Sequence, residues 1–237
     1  MSTTQKRRPE SITNGLYDAR YEHDSCGVGF VVNIKGRRSH TLVEQALEVG
    51  VNLLHRGACG CEPNTGDGAG LLLQIPDKFL RRETATGGVT LPPEGQYGVG
   101  MLFLPRRPDE RTRVEDLVVQ LVEEEGQTLL GWRDVPTDHS PLGETARQDE
   151  PVIRQVFIER AADLEGNGDA QRRFERRLYV IRKRLAREVD ALGLEERNLF
   201  YAASLSSQTI VYKGMLIADQ VTTMFPDLVD PDLESAL

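Results

Sequence analysis

The sequence is poor in cysteine and histidine, and it has no long apolar run. Its 237 residues include three cysteines and four histidines. Three cysteines, an odd number, form no disulfide framework and suit a reducing compartment. No apolar stretch reaches the roughly 18 residues that a membrane-spanning helix needs. The basic cluster near the start, MSTTQKRRPES, is followed by no apolar stretch, so we expect no secretory signal. We therefore expect a cytoplasmic protein.

An excess of positive charge is also missing. Lysine and arginine number 29 against 37 aspartates and glutamates, and the formal net charge is −8. Nucleic acids and membrane surfaces are anionic and attract basic proteins, so we expect neither as a partner. A chain of this length can bury roughly 70–75% of its unfolded surface in one core. We see no linker long or biased enough to mark a domain boundary.

The first informative stretch is YEHDSCGVGF, which spans Tyr21 to Phe30. Cys26 stands where an acidic, polar lead-in gives way to an apolar run that is rich in β-branched residues and glycine. This pattern predicts a buried strand over residues 26–34. A cysteine at the entry of a core strand is either a small packed hydrophobe or a nucleophile, and residue chemistry alone leaves both open.

The second informative stretch is HRGACGCEPNTGDGAG, from His55 to Gly70. Its glycines allow tight turns. A phosphate-binding loop follows a strand and opens a helix, whereas here a helix is predicted before the glycines and a strand after them. Cys59 and Cys61 could be called metal ligands, but zinc sites space paired cysteines by two to four residues and a second pair is absent. We therefore expect no metal and favour packed cysteines in a turn.

Hydrophobic periodicity predicts the remaining elements. A strand followed at once by an amphipathic helix favours a layered arrangement of helices and sheets. Seven arginines on the longest helix are interpreted as a solvated face, with a nucleic-acid stripe as the alternative. The predicted helices cover about 39–54, 109–125 and 169–192, with a short one ending near 225; the predicted strands cover 71–75, 97–104, 129–135 and 152–158; a polar loop covers 136–150; and 200–205 and 209–212 are predicted to pair as a hairpin.

Both stretches, together with NLFYAASLSSQTIVYKGMLIADQ and the terminal FPDLVDPDLESAL, resemble the type 2 (class II) glutamine amidotransferase domain of glutamate synthase large subunits. The resemblance implies an α+β fold, the four-layer αββα sandwich of N-terminal nucleophile hydrolases, incomplete at its C-terminus. Residues 26–237 would form the first part of that domain. The implied activity is release of ammonia from L-glutamine, for glutamate synthesis from 2-oxoglutarate.

The resemblance also implies the site residues. Cys26 would become the N-terminal nucleophile after removal of a propeptide, residues 1–25, and would form a thioester with the substrate. Arg56 of the HRG motif would lie beside the nucleophile and, with Gly27, order the site. The chemistry agrees, because a thiol that attacks an amide needs a base. A free α-amine on Cys26, with an ordinary pKa of about 7.7–8.0, would be that base, whereas an amide nitrogen bonded to Ser25 cannot accept a proton.

Other parts of the family's machinery are expected elsewhere. The arginine that holds the glutamine carboxylate and the Asn-Gly pair of the oxyanion hole lie beyond the matching segments. Flavin mononucleotide (FMN) and an iron–sulfur cluster are implied for later domains, and no cofactor for this chain. The implied partners are the rest of the large subunit and a small NAD(P)H-dependent subunit. We expect little glutaminase activity from the chain alone; the alternative is a non-catalytic fragment that acts only by associating with a partner chain.

Overall fold

The computed structural model describes residues 27–56, 62, 64–162 and 169–237. Most predicted elements are present within a few residues of their expected bounds. The helices and strands, in chain order, are α1 His40–Asn52, β1 Ala69–Gln74, α2 Asp77–Thr86, β2 Tyr97–Leu104, α3 Pro108–Glu124, β3 Thr128–Asp134, α4 Glu144–Gln148, β4 Val152–Glu159, α5 Ala170–Glu188, β5 Tyr201–Ser206, β6 Thr209–Gly214 and α6 Val221–Met224.

The strands form two antiparallel sheets. The larger has the order β3-β4-β2-β5, and the smaller consists of β1 and β6. In the larger sheet β2 is central, since Val99 lies opposite Phe157 of β4 and Ser206 of β5. In the smaller sheet Ala69 lies opposite Gly214. Helices combined with antiparallel sheets make this an α+β fold, as predicted.

One face of the larger sheet is covered by α3 and α5. Successive side chains of a strand point to opposite faces, so Leu102 and Leu104 of β2 reach the helices. Most of the inward positions expected on the two long helices are buried: Val114, Leu117, Val118, Leu121 and Val122 on α3, and Phe174, Leu178, Ile181 and Leu185 on α5. Val189 and Leu192, also expected on the inward face of the second helix, lie in the 3₁₀ turn that follows α5, where Val189 is buried and Leu192 is half-buried.

The opposite face of the larger sheet contributes to a second apolar cluster, shared with the smaller sheet. Val99 and Met101 of β2 belong to it, as do Leu73 of β1 and Ile210 of β6. Further members come from the first two helices, such as Val43 of α1. The main core therefore lies where the smaller sheet and the first helices meet the larger sheet.

A buried polar network crosses this second cluster. Arg133 of β3 donates two parallel hydrogen bonds, each 2.8 Å long, to the carboxylate of Asp227. The Tyr212 hydroxyl of β6 donates to the same carboxylate at 2.9 Å. Gln155 of β4 accepts from Arg133 and donates to Tyr212. Because every member has a partner, the network ties both sheets to the segment that follows α6.

The buried strand predicted over residues 26–34 is wrong for its described part, 27–34. These residues form no strand within the described ranges. Val28, Phe30 and Ile34 have exposed fractions of 88%, 81% and 96%. The pattern of β-branched residues and glycine favours an extended backbone, but burial also requires neighbours, and no described residue covers these side chains. Residues 1–26, including the propeptide expected over 1–25, lie outside the described residues.

The predicted hairpin is also corrected. β5 and β6 are joined by the expected turn at residues 206–208, but β5 pairs with β2 and β6 pairs with β1. The turn therefore passes from one sheet to the other. The Glu175 carboxylate of α5 accepts hydrogen bonds from the Ser206 hydroxyl and from the Ser207 backbone and hydroxyl. Local sequence shows the turn, whereas the choice of partner depends on distant strands.

Two smaller expectations need adjustment. The polar loop predicted over 136–150 contains the short helix α4. The arginine face of α5 is only partly solvated: Arg182 donates to the Ala202 and Ala203 carbonyls, and Arg184 pairs with carboxylates including Glu124 of α3. These arginines therefore attach α5 to its neighbours within the protein.

Candidate active site

The HRG motif begins in a tight turn at the end of α1. Ser39 caps the start of the helix, with its hydroxyl accepting a hydrogen bond from the Leu42 backbone at 3.3 Å. After Asn52 the chain tightens into a 3₁₀ turn, Leu54–Arg56. The Arg56 backbone N–H donates to the Leu53 carbonyl at 2.8 Å. This turn fixes the position of Arg56 relative to the core helix.

Gly27 lies directly against this turn. A Cβ added at Gly27 would stand 3.1 Å from the Cβ of Arg56 and 3.1 Å from the Cβ of Leu53. A Cβ added at Gly29 would overlap Cγ1 of Val49, one helical turn earlier. The two glycines therefore let the segment 27–29 approach the end of α1 closely. The structure brings the predicted site residues Gly27 and Arg56 together; Cys26 lies outside the described residues.

The Arg56 side chain is exposed. Within the described part of the chain it forms no hydrogen bond or ion pair, and it caps no carbonyl of α1. The ring of His55 takes the position expected of a cap, with Nδ1 lying 3.1 Å from the Asn52 carbonyl oxygen. The Arg56 guanidinium is thus a cation beside Gly27 that the described residues leave open to a ligand or to another part of the protein.

The described glycines before β1 and at its start pack tightly against β6 and the residues that follow it. A Cβ at Gly66 would overlap the Leu216 carbonyl, and one at Gly70 would lie 2.5 Å from the Tyr212 carbonyl oxygen. β1 begins at Ala69, so a strand follows the glycines, as predicted, rather than the helix that a phosphate loop opens. These glycines serve close backbone packing. Cys59 and Cys61 lie outside the described residues.

Sequence reasoning missed Glu62, which anchors the described part of this stretch. Its carboxylate accepts from the hydroxyls of Thr145 and Thr65, each at 2.9 Å. The Thr145 hydrogen bond, followed by that of Thr65, holds the pKa of Glu62 below its ordinary value. Nothing in the sequence marks this residue, because its partner Thr145 is distant in the chain.

Gln220 is a second residue that sequence reasoning missed. Its side-chain nitrogen donates to the Asn64 carbonyl at 2.9 Å and to the Pro141 carbonyl at 2.8 Å. Its side-chain oxygen accepts from the Ile217 backbone at 3.0 Å. The side chain is buried and satisfied at both ends. Together with Glu62 it holds the described residues 62, 64 and 65, which precede β1, against the segments around Pro141 and Thr145.

The described histidines and acids do not converge. Within residues 27–56, 62, 64–162 and 169–237 no group of three or more His, Cys, Asp or Glu side chains is arranged to hold a metal ion. His40, for example, lies with Nδ1 2.9 Å from the Leu233 carbonyl oxygen. Among the helices that the structure describes, none is long and apolar enough to cross a membrane.

Comparison with known proteins identifies the family to which the chain belongs. The family profile of class-II glutamine amidotransferases matches residues 26–237, so the match begins at Cys26. A glutamate synthase [NADPH] large chain from Bacillus subtilis is 46% identical over 222 residues, which cover 94% of this chain and 14% of that relative. A glutamate synthase [NADH] from Schizosaccharomyces pombe is 42% identical, with 90% of this chain and 10% of the relative covered.

A third relative is named for a different electron donor, ferredoxin. The ferredoxin-dependent glutamate synthase 2 of Synechocystis is 36% identical over 90% of this chain and 13% of its own length. The chain thus spans 10–14% of the length of these three relatives. The profile covers most of the chain, and the similarity to glutamate synthases extends over nine-tenths of it or more. The chain belongs to the family of class-II glutamine amidotransferases.

Proposed function

We propose that this chain carries the glutaminase nucleophile of a glutamate synthase, with Cys26 as the attacking residue. The α-amine of Cys26 takes the thiol proton while Sγ bonds to the side-chain amide carbon of L-glutamine. The amine then returns the proton to the leaving nitrogen, which departs as ammonia and leaves a thioester. Water, deprotonated by the same amine, cleaves the thioester and releases glutamate. The sum is glutamine plus water to glutamate plus ammonia.

The contact between Gly27 and Arg56 is the observation that carries this proposal. Gly27 is bonded to Cys26, and its Cβ position lies 3.1 Å from the Arg56 Cβ. The exposed guanidinium of Arg56 is therefore available to order the site around the nucleophile. The family match that begins at residue 26 supports the same start for the mature chain. A start at Cys26 makes residues 1–25 a propeptide.

The greater length of the relatives supports a proposal about the wider assembly. We propose that the described helices and sheets form part of a four-layer αββα sandwich completed by other segments of a longer polypeptide. The ammonia would then be consumed with 2-oxoglutarate by a synthase portion that holds FMN and an iron–sulfur cluster. A small NAD(P)H-dependent subunit would supply electrons there.

One feature favours the alternative of a chain that functions only in association. Val28, Phe30, Val32 and Ile34 form a row of exposed apolar side chains next to the proposed nucleophile. Surfaces of this kind usually mark a site of contact. On this alternative the chain contributes fold and contact surface but no turnover until a partner covers the row.

The test is replacement of Cys26 by alanine in a longer enzyme that carries this domain. Glutamine-dependent ammonia release should be abolished, while use of free ammonia by the synthase portion should persist. The matched control replaces Cys59 and Cys61 together by serine, which should leave glutaminase activity within a few fold. Persistent glutaminase activity in the Cys26→Ala enzyme would refute the proposal. If the control enzyme lost its glutaminase activity while remaining folded, the activity would depend on Cys59 and Cys61 instead.

A further inference from the structure

A cleft of about 330 Å³ opens where β2, β4 and β5 face the end of β6. Its floor is apolar and includes Phe103 of β2, Ile153 of β4 and Leu216 after β6. The volume is at the lower end of the range for small-molecule sites, about 300–1,000 Å³. The cleft shares no residue with the Gly27–Arg56 contact.

One end of the cleft carries a positive charge. Nζ of Lys213 donates to the Tyr201 hydroxyl at 3.0 Å and lies 4.1 Å from the centre of its ring. In the part of the chain that the structure describes, Lys213 has no carboxylate within ion-pair distance. Its hydrogen bond, and to a lesser degree the charge of Arg182, lower the pKa of Tyr201. An ammonium has three N–H donors, so Lys213 retains two for a ligand.

The other end of the cleft is acidic. Asp149 and Glu150 line it just before β4. The Glu150 carboxylate is paired with the ring of His139, whereas Asp149 has no cationic partner among the described residues. In the sheet β2 lies between β4 and β5, with Phe103 opposite Ile153 on one side and Tyr201 on the other. Strands in a sheet are about 4.8 Å apart, so β4 and β5 are separated by about 10 Å. The apolar floor therefore separates one cationic end from one anionic end.

We propose that this cleft binds a small organic monocarboxylate, with the carboxylate on Lys213 and the apolar body over Phe103 and Ile153. The charges decide the class of ligand. A neutral ligand would leave Lys213 without a counter-ion, and a dicarboxylate would place its second charge against Asp149. A monoanion with an apolar tail pairs with Lys213 and brings no second negative charge to the acidic end.

The test uses the full 237-residue chain and three probes of similar length. We expect 3-phenylpropanoate, titrated by heteronuclear NMR, to bind with a Kd of about a millimolar and to shift the resonances of Phe103 and Lys213. The neutral 3-phenylpropanamide should bind at least about tenfold more weakly, and hexanedioate should show no saturable shift at the same concentrations. Equal binding of the acid and the amide, or no binding of the acid, overturns the proposal.

A variant pair gives an independent readout. Lys213→Gln should weaken 3-phenylpropanoate binding about tenfold and remove the preference over the amide. Lys183→Gln is the matched control, because Lys183 also lies over a tyrosine, with Nζ 5.6 Å from the Tyr179 ring, but does not line the cleft. It should leave binding unchanged. Equal loss in both variants, or no loss in Lys213→Gln with a native spectrum, contradicts the assignment.

Discussion

Two segments of this protein have nearly the same sequence pattern and opposite surroundings. Gly27-Val28-Gly29-Phe30 is exposed, whereas Gly98-Val99-Gly100-Met101 is part of the central strand β2. Val99 and Met101 have exposed fractions of 0%, against 88% and 81% for Val28 and Phe30. In both segments the glycines contact a neighbouring element: Gly29 meets Val49 of α1, and a Cβ at Gly98 would lie 2.5 Å from Leu178 of α5.

The difference between the segments lies in their lateral neighbours. β2 has β4 on one side and β5 on the other, and the small sheet covers the Val99 face. Segment 27–34 has α1 against its glycines, and its contacts elsewhere include one backbone hydrogen bond, from Asn33 N–H to the Ala236 carbonyl at 2.9 Å. The shared pattern therefore specifies an extended chain that packs closely on a helix, while burial depends on the strands beside it.

The largest effect should come from placing a charge in each segment. Val99→Asp puts an unpaired carboxylate in the core, which should cost at least about 4 kcal/mol and abolish cooperative unfolding. Val28→Asp should change the unfolding free energy by less than about 0.5 kcal/mol, because the side chain is exposed. Urea unfolding followed by circular dichroism measures both. Equal destabilisation would mean that segment 27–34 is as well packed as β2.

The next largest effect should come from the buried network that joins the sheets. Asp227→Asn removes the charge that neutralises Arg133 and should cost about 3–5 kcal/mol. Asp230→Asn is the matched control, since Asp230 pairs with the partly exposed Arg82 at 2.5 Å and should cost at most about 1 kcal/mol. A urea midpoint for Asp227→Asn as high as that of Asp230→Asn would show that the network does not hold the sheets together.

Buried and exposed tyrosines should lose their protons at different alkaline pH values. Burial, followed by the hydrogen bond to Asp77, raises the pKa of Tyr97, and burial beside Asp227 raises that of Tyr212. A group whose pKa is raised in the folded state stabilises the fold fully below its unfolded pKa, about 10 for tyrosine, and loses that contribution as pH rises further. Stability should therefore fall above about pH 10.

The measurement is the urea midpoint as a function of pH, together with ultraviolet titration of the phenols. Tyr97→Phe should lower stability at neutral pH by about 1 kcal/mol, through loss of the 2.8 Å hydrogen bond to Asp77, and should make the alkaline decline shallower. Tyr201, whose pKa is lowered by Lys213, should titrate before unfolding begins. If the urea midpoint of Tyr97→Phe fell with alkaline pH as steeply as that of the unmodified protein, Tyr97 would not contribute to the loss of stability.

A smaller difference between the two segments should appear when a methyl group is added to a glycine of each. Gly100→Ala places a Cβ 2.6 Å from Val156 and 3.1 Å from Leu205 within the core, and should cost about 1–3 kcal/mol. Gly29→Ala should cost less than about 1 kcal/mol, because the exposed segment can move away from Val49. A second substitution, Val49→Ala, should restore the original position of the segment. Destabilisation by Gly29→Ala equal to that of Gly100→Ala would contradict this comparison.

The elements that are predicted well are those whose own residue spacing indicates their structure. α3 and α5 show their buried faces through three- and four-residue spacing, and β2 lies at its predicted bounds. The pairing of β5 with β2, and of β6 with β1, has no local signal because the partners are remote in the chain. The burial predicted for residues 27–34 is wrong for the same reason, because a sequence pattern shows which residues are apolar and not which elements cover them.

The candidate site divides in the same way. The family resemblance implied Arg56 and Gly27 as site-ordering residues, and the structure brings these two residues into contact. Glu62 and Gln220, which hold the neighbouring loop, belong to no recognisable pattern, because each acts through hydrogen bonds to residues that the fold alone brings near. Residues that depend on tertiary hydrogen bonds, such as Glu62 and Gln220, therefore cannot be predicted from local sequence.

The most direct test of the central proposal compares two N-termini in a longer enzyme carrying this domain. One preparation begins at Cys26 and the other at Ser25, with both termini verified by intact mass. If the α-amine of Cys26 is the base, one additional residue converts it into an amide, and ammonia release from glutamine should fall by at least about a hundredfold. Equal rates from the two preparations would contradict the account.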